Sequence, residues 1–340
     1  MTKRERFEAF LANKPVDRVP VAFFHHFCGA KDINQGLVNE EAFERNIEGH
    51  RRARRIFDPD VAKVMNDTLM LVPIDCSHVE TARDLSKIDP PAMDSMFVKK
   101  TVELTKRVRA IYEDSDIPVY GTSFSPYTVL RFSLSPKGML GNGADEAKFK
   151  RLMAEAPDRV SDVLENLGEF ICRLNELMLT ECGVDGIYLS VNNQCQIVPP
   201  ELHKRYVTPH EKNIIHEANK ISSINLLHIC GGPIGLPSTL ELYKDYGASG
   251  YNWAIEAEKV NLGEGKKILG GAPVFGGFER TGVLDKGTRE EVEQRVYDIL
   301  DECGQTGIMI GDDCTVPTDI DDSRLEWVRQ AAIRYAEETW

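Results

Sequence analysis

The stretch "LLHICGG" (226–232) sets His228 and Cys230 two positions apart at the end of a short apolar run. Side chains of an extended strand alternate faces, so the imidazole and the thiol project to one side while Ile229 takes the other. Gly231 and Gly232 then let the chain turn sharply and let a ligand approach the backbone closely. A third soft donor, Cys314, stands in "GDDCTVP" (311–317), at the end of another apolar run. One imidazole and two thiols form a donor set for zinc, whose catalytic sites take three protein ligands and keep a fourth position open. Two thiolates make such a site too soft for Mg²⁺ or Ca²⁺. A substrate thiol in the open position would ionise at neutral pH and become a nucleophile. Taken alone, H-x-C is equally the pattern of a half-buried core pair, and Cys314 joins it only if the fold brings two distant stretches together.

The elements that must do this are visible as a series of apolar runs ending in Gly, Asn, Asp or Pro. Eight read as strands: 19–24, 61–66, 118–124, 185–191, 224–230, 249–255, 266–272 and 306–312. Amphipathic periods between them predict helices over 40–57, 98–113, 158–183, 200–220 and 289–304, with a closing helix over 322–338. Strand and helix alternating eight times without a low-complexity linker predict a single (β/α)₈ barrel spanning 1–340, with a doubly wound open sheet as the rival. The first 17 residues read as an extra helix on the outside or bottom of the barrel.

In such a barrel the chemistry sits at the C-terminal ends of the strands. That rule selects His25, His26 and Cys28 after the first strand, Asp67 after the second, Tyr127 after the third, and Asn192 and Asn193 after the fourth. His228 and Cys230 end the fifth, Asn252 and Trp253 lie in the sixth, and Asp312, Asp313 and Cys314 follow the eighth. "HHFC" (25–28) is a second donor group, read as lining for a substrate pocket.

A net charge of −13 argues against a nucleic-acid partner, because phosphate contacts are made by Lys and Arg. The basic run "HRRARR" (50–55) reads as a solvated helix face, with docking to an acidic partner as the alternative. No apolar segment reaches the length of a signal core or a membrane span, so a cytoplasmic protein is expected. The eight cysteines lack disulfide-framework spacing and read as reduced thiols.

Several stretches, in this order and spacing, resemble the uroporphyrinogen decarboxylase superfamily: "PVDRVPVAF" near the start, "GTSFSPYTVL" (121–130), "CGVDGIYLS" (182–190), "HICGG" (228–232) and "GDDCTVPTDIDDSRLEWV" (311–328). The resemblance spans nearly the whole chain and implies a (β/α)₈ barrel. Decarboxylases of that superfamily carry arginine after the first strand to hold a polycarboxylate, whereas here no Arg or Lys falls between Arg18 and Lys31. The other branch is similar to cobalamin-dependent methyltransferases of the methylcobamide:coenzyme M type, whose zinc motif is H-x-C with a distant Cys. His228, Cys230 and Cys314 match it residue by residue, whereas the family's usual Gly-Asn-rich turn after the seventh strand is replaced here by "GGAPVFGGFE" (270–279), a departure from its pattern.

The resemblance therefore implies a zinc enzyme that moves a methyl group between a corrinoid, carried by a small partner protein, and a thiol-type acceptor. His25, His26, Asp67, Asn193 and Asn252 are the positions expected to contact corrinoid or acceptor. Decarboxylation of a tetrapyrrole or smaller carboxylic acid is the second reading, and a non-catalytic corrinoid or metal binder the third. Barrel helices can face solvent or a twin subunit, which leaves a homodimer open.

Overall fold

The structure is a computed structural model that describes residues 1–135, 146–192, 195–231 and 239–339. Its eight parallel strands are β1 (Val21–Ala22), β2 (Ala62–Lys63), β3 (Val119–Phe124), β4 (Gly186–Val191), β5 (Leu226–Ile229), β6 (Gly250–Trp253), β7 (Val274–Phe278) and β8 (Ile308–Asp312). They hydrogen-bond in the order β1-β8-β7-β6-β5-β4-β3-β2, so β1 and β2 meet at the seam of a nearly closed (β/α)₈ barrel. Around them lie α1 (Lys3–Leu11), α2 (Glu40–Ile56), α3 (Met96–Ile111), α4 (Pro126–Leu134), α5 (Ala147–Glu155), α6 (Pro157–Thr180), α7 (Pro200–Tyr206) and α8 (Thr208–Asn219). The short α9 (Ile255–Glu258), α10 (Leu262–Ile268) and α11 (Val283–Lys286) follow, then α12 (Arg289–Cys303) and α13 (Ser323–Thr339). No described helix is long and apolar enough to cross a membrane.

Alternation along the strands sorts the apolar side chains into two cores. Ala62, Val119, Leu189, Leu227, Val274 and Ile310 belong to the larger cluster, shared with the surrounding helices. Ala22, Phe24, Val61, Met65, Tyr120, Tyr188, Leu226, Phe275 and Met309 form a separate cluster. Residues from strands all round the sheet can meet in one cluster only inside the barrel. Phe7 and Phe10 of α1 complete this inner core, Phe7 packing edge-on to Tyr120 with ring centroids 5.8 Å apart. The N-terminal helix, begun by a Thr2/Glu5 capping box, is thus a plug in the bottom of the barrel.

The seam is closed by Asp60. Its N–H donates to Val21 O at 3.0 Å, and its Oδ2 accepts the Val21 N–H at 2.7 Å. Arg18 donates to both carboxylate oxygens, at 2.7 and 3.1 Å, and Arg6 of the plug donates to Oδ1 at 2.8 Å. One buried carboxylate therefore ties plug, β1 and β2 together.

Seven of the eight expected strands fall where the periodicity puts them. The exception is the seventh: "KKILGGA" (266–272) is the end of α10 and its exit, with Gly270 and Gly271 at φ 73° and 85°. An apolar pair before two glycines looks like a strand end, but the same glycines serve as a left-handed helix stop. The true β7 is "VFGGF", so "GGAPVFGGFE" contains the seventh strand rather than forming the turn after it. The expected 200–220 helix is two, broken at Val207, because Pro209 in the first turn of α8 has no N–H to continue the ladder. Two helices not expected, α4 and α5, follow β3; α4 carries a Ser125 N-cap and Pro126 at its start.

Replacing Asp60 with Ala leaves the buried Arg6 guanidinium without its partner at the seam. The expected loss is about 3–5 kcal/mol, read as a shift of the urea midpoint at unchanged slope.

Candidate metal centre

Strand register builds the site. His228 pairs with Ser190 on one side and Asn252 on the other, and the ladder runs on past β5 through Cys230 N–H to Val191 O at 2.8 Å. Leu226 belongs to the inner core, so period two carries His228 and Cys230 inward at the C-terminal mouth. The donor atoms of His228, Cys230 and Cys314 all lie within 4.8 Å of one another. Among the described residues this is the single group of three or more His, Cys, Asp or Glu so arranged. His228 is buried; the two cysteines are half-buried.

Asn252 decides which imidazole nitrogen is free. It is fully buried, and its Nδ2 donates to Phe275 O at 2.8 Å and Asp312 O at 3.2 Å. With both N–H groups directed at carbonyls, its Oδ1 must accept, and it faces His228 Nδ1 in a short hydrogen bond. The proton therefore sits on Nδ1, and the Nε2 lone pair is left for a ligand. Tyr188 stacks on the same imidazole, with ring centroids 5.6 Å apart.

Two carboxylates just before Cys314 fasten its strand end to the neighbours. Asp312 Oδ1 accepts the Phe24 N–H at 2.7 Å. Asp313 accepts Gly277 N–H at 2.9 Å and Ile255 N–H at 3.0 Å, which joins β7 and the exit from β6 to β8. Burial raises the Asp313 carboxyl to about 7. At Gly276, φ is 131° and a Cβ would lie 3.0 Å from Asn252 Nδ2 and 3.1 Å from Asp313 Oδ1, so only glycine leaves room for both. A hydrogen bond with Cys230, then burial, pushes the Cys314 thiol up to about 12. A divalent cation is the natural agent to ionise so reluctant a thiol. The donor set, the oriented imidazole and the soft chemistry fit zinc.

The remaining expected residues divide. Asp67 is buried and accepts from His26 Nδ1 at 2.5 Å, Phe27 N–H at 2.6 Å and Cys28 N–H at 3.0 Å. It orders the loop after β1 and holds His26, which stays partly exposed. His25 instead stacks on Phe27, and burial pushes its imidazole down to about 4. Cys28 faces away from the pocket expected for it, its sulfur 3.8 Å from Ala42 O of α2 and its thiol raised to about 12 by burial. Asn252 lies behind His228 rather than at the open mouth, and Asn193 is outside the described residues. Tyr127 is buried against Phe149 and His203, and Trp253 Nε1 donates to Val260 O at 2.8 Å.

The "HRRARR" run lies on α2, where Arg51 and Arg55 pair with Glu48, Arg54 with Asp58 and Arg52 with Asp322. These pairings describe a solvated face for the arginines rather than a bare cationic patch, whereas His50 at the head of the run is buried and its Nε2 accepts the Met65 N–H at 2.8 Å. Sequence reasoning passed over Lys63, although period two places it on the face shared by Val61 and Met65.

The chain belongs to the uroporphyrinogen decarboxylase (URO-D) family, whose model matches residues 61–335. Its fold is similar to that of a methyltransferase from Methanosarcina mazei, at 18% identity and TM-score 0.74, over 98% of this chain and 99% of that one. It is also similar to a B12-independent methionine synthase from Shewanella sp. W3-18-1 in complex with selenomethionine, at 12% identity and TM-score 0.62, over 94% and 98%. No curated protein matches the sequence.

Replacing Asn252 with Ala removes the group that fixes the His228 tautomer. Zinc affinity by chelator competition is expected to fall about 10–100-fold, with Asn252→Asp, which keeps the acceptor, falling less.

Proposed function

We propose that this chain is a zinc-dependent methyltransferase that moves a methyl group between a corrinoid and a thiol-type acceptor. The observation that carries the reading is the meeting of His228, Cys230 and Cys314 at the barrel mouth, their donor atoms within 4.8 Å. It is supported by membership of the URO-D family and by the names of the two similar structures, both of enzymes that transfer methyl groups. One of those is independent of B12, so the corrinoid rests on the matching H-x-C and distant Cys alone.

His228, Cys230 and Cys314 would hold the ion, which when bound supplies the Lewis acidity that keeps an acceptor thiol ionised at neutral pH. The chain's own residues then have two tasks. Asn252 and Tyr188 keep the imidazole in one orientation, and the latches of Asp312 and Asp313 keep Cys314 in reach of it. That rigidity would let an acceptor sulfur sit about 3–3.5 Å from the methyl carbon, in line with the bond to be broken. His26, oriented by Asp67, stands after β1 as a contact for acceptor or corrinoid. A small corrinoid-binding protein would dock on the C-terminal face.

Decarboxylation of a polycarboxylate is the weaker reading. The segment after β1 offers no cation between Arg18 and Lys31, and Arg18 is engaged by Asp60 at the seam.

Metal analysis of purified protein tests the proposal. Wild type is expected to carry about one zinc per chain, and Cys230→Ser and Cys314→Ser to lose it. A wild type that stays metal-free after zinc reconstitution contradicts it.

A further inference from the structure

An acceptor thiol that ionises at the barrel mouth must hand its S–H proton to something. The group that takes it needs a lone pair, a place at the mouth and a way to pass the proton on to solvent.

The His26–Asp67 pair has all three. Asp67 stands two residues past Met65 of the inner core and is buried. Its Oδ2 accepts the N–H groups of Phe27 and Cys28 at 2.6 and 3.0 Å, and its Oδ1 faces His26 Nδ1 at 2.5 Å. A carboxylate so held accepts, so Nδ1 carries the proton and Nε2 keeps its lone pair. Among the described residues Nε2 has no hydrogen-bond partner, and the His26 side chain is 21% exposed.

Backbone pairing sets this imidazole beside Cys314. Phe24 N–H donates to Asp312 Oδ1 at 2.7 Å, and Val316 N–H donates to Phe24 O at 2.9 Å, so the segment that carries Cys314 is pinned to Phe24 at both ends. A parallel bridge between His25 and Val316 keeps the chain after β1 extended as far as His25. Ala22 and Phe24 both face the inner core, so period two turns His26 to the mouth and His25 outward, toward Asp322 at 3.8 Å.

The neighbouring groups are unsuited to the task. The Lys63 ammonium lies 4.2 Å from the centroid of the Tyr188 ring and 4.5 Å from that of Phe24, and an ammonium has no lone pair. His228 Nε2 belongs to the donor set, and both oxygens of Asp313 accept backbone N–H groups. Asp312 is 2% exposed, so a proton taken there is sealed from solvent.

We propose that His26 is the proton acceptor of this site. The S–H bond of the acceptor breaks, its proton passes to His26 Nε2, and the sulfur keeps the electron pair. The imidazolium stays paired with Asp67 until solvent removes the proton, and no oxidant or reductant enters. The inference rests on the reading of the acceptor as a thiol, and its test separates the two.

The experiment uses the full chain loaded with cobalt(II) and mixed rapidly at neutral pH with one of two ligands. 2-Mercaptoethanol arrives protonated, and its loading is followed by the rise of the sulfur-to-cobalt charge-transfer band. Azide arrives as an anion with no proton to give up, and is followed by the cobalt d–d bands. His26→Gln keeps an N–H for Asp67 but takes up no proton, and His26→Ala reads the same quantity should that variant not fold. Thiol loading is expected to slow about 100-fold in the variant, with azide loading at the wild-type rate. An unchanged thiol rate overturns the proposal. Equal slowing of both ligands also overturns it, and assigns His26 to access or loop order. A wild type that shows cobalt–sulfur bands and binds azide but not the thiol overturns this inference and leaves the metal reading standing. A wild type without cobalt–sulfur bands overturns the metal reading, and this inference with it.

Discussion

The amide of Asn252 has two donors and one acceptor, and its surroundings leave no choice in how they are used. Two backbone carbonyls, Phe275 O and Asp312 O, take the donors, so the oxygen turns to His228 and fixes the proton on Nδ1. A buried amide turned the other way would set its N–H groups against His228 and its oxygen against two carbonyls. The imidazole nitrogen left free for a ligand is thus specified by three neighbouring strands, since β6 supplies the amide and β7 and β8 supply the carbonyls. The glycine at 276 is the steric condition for that convergence.

The rest of the barrel reads as the means of holding those strand ends still. Asp313 ties β8 to β7 and to the exit from β6, Asp312 ties it to the chain after β1, and Asp60 closes the seam at the far side. Each is a buried carboxylate accepting backbone N–H groups where a parallel ladder runs out of partners, a recurring need at the ends of barrel strands. Phe7 and Phe10 fill the bottom from α1, so the inner core is packed below the site. Chemistry at one end and closure at the other follow from the same topology.

How far the sequence revealed this depends on which signal each residue left. His228 and Cys230 announce themselves by spacing, and Cys314 by its place at the end of β8. The N-terminal helix and seven strands follow from period. The seventh strand was hidden because "VFGGF" carries two glycines with left-handed φ in its middle, while "KKILGGA" imitates a strand better than the strand does. The role of Asn252 was not legible, because it arises from carbonyls on β7 and β8 that are distant in sequence. Cys28 misled for the complementary reason: after β1 the chain leaves strand geometry, and alternation no longer predicts which way a side chain points. Lys63 had a signal that went unused, a charge placed in phase with Val61 and Met65.

X-ray absorption at the zinc edge of the reconstituted protein tests the central claim most directly, because it sees the donor atoms themselves. The account predicts two sulfurs at about 2.3 Å with an imidazole nitrogen at about 2.0–2.1 Å, and a third sulfur after an acceptor thiol is added. A shell of nitrogen and oxygen alone, or one whose sulfur count does not change with the thiol, would contradict it.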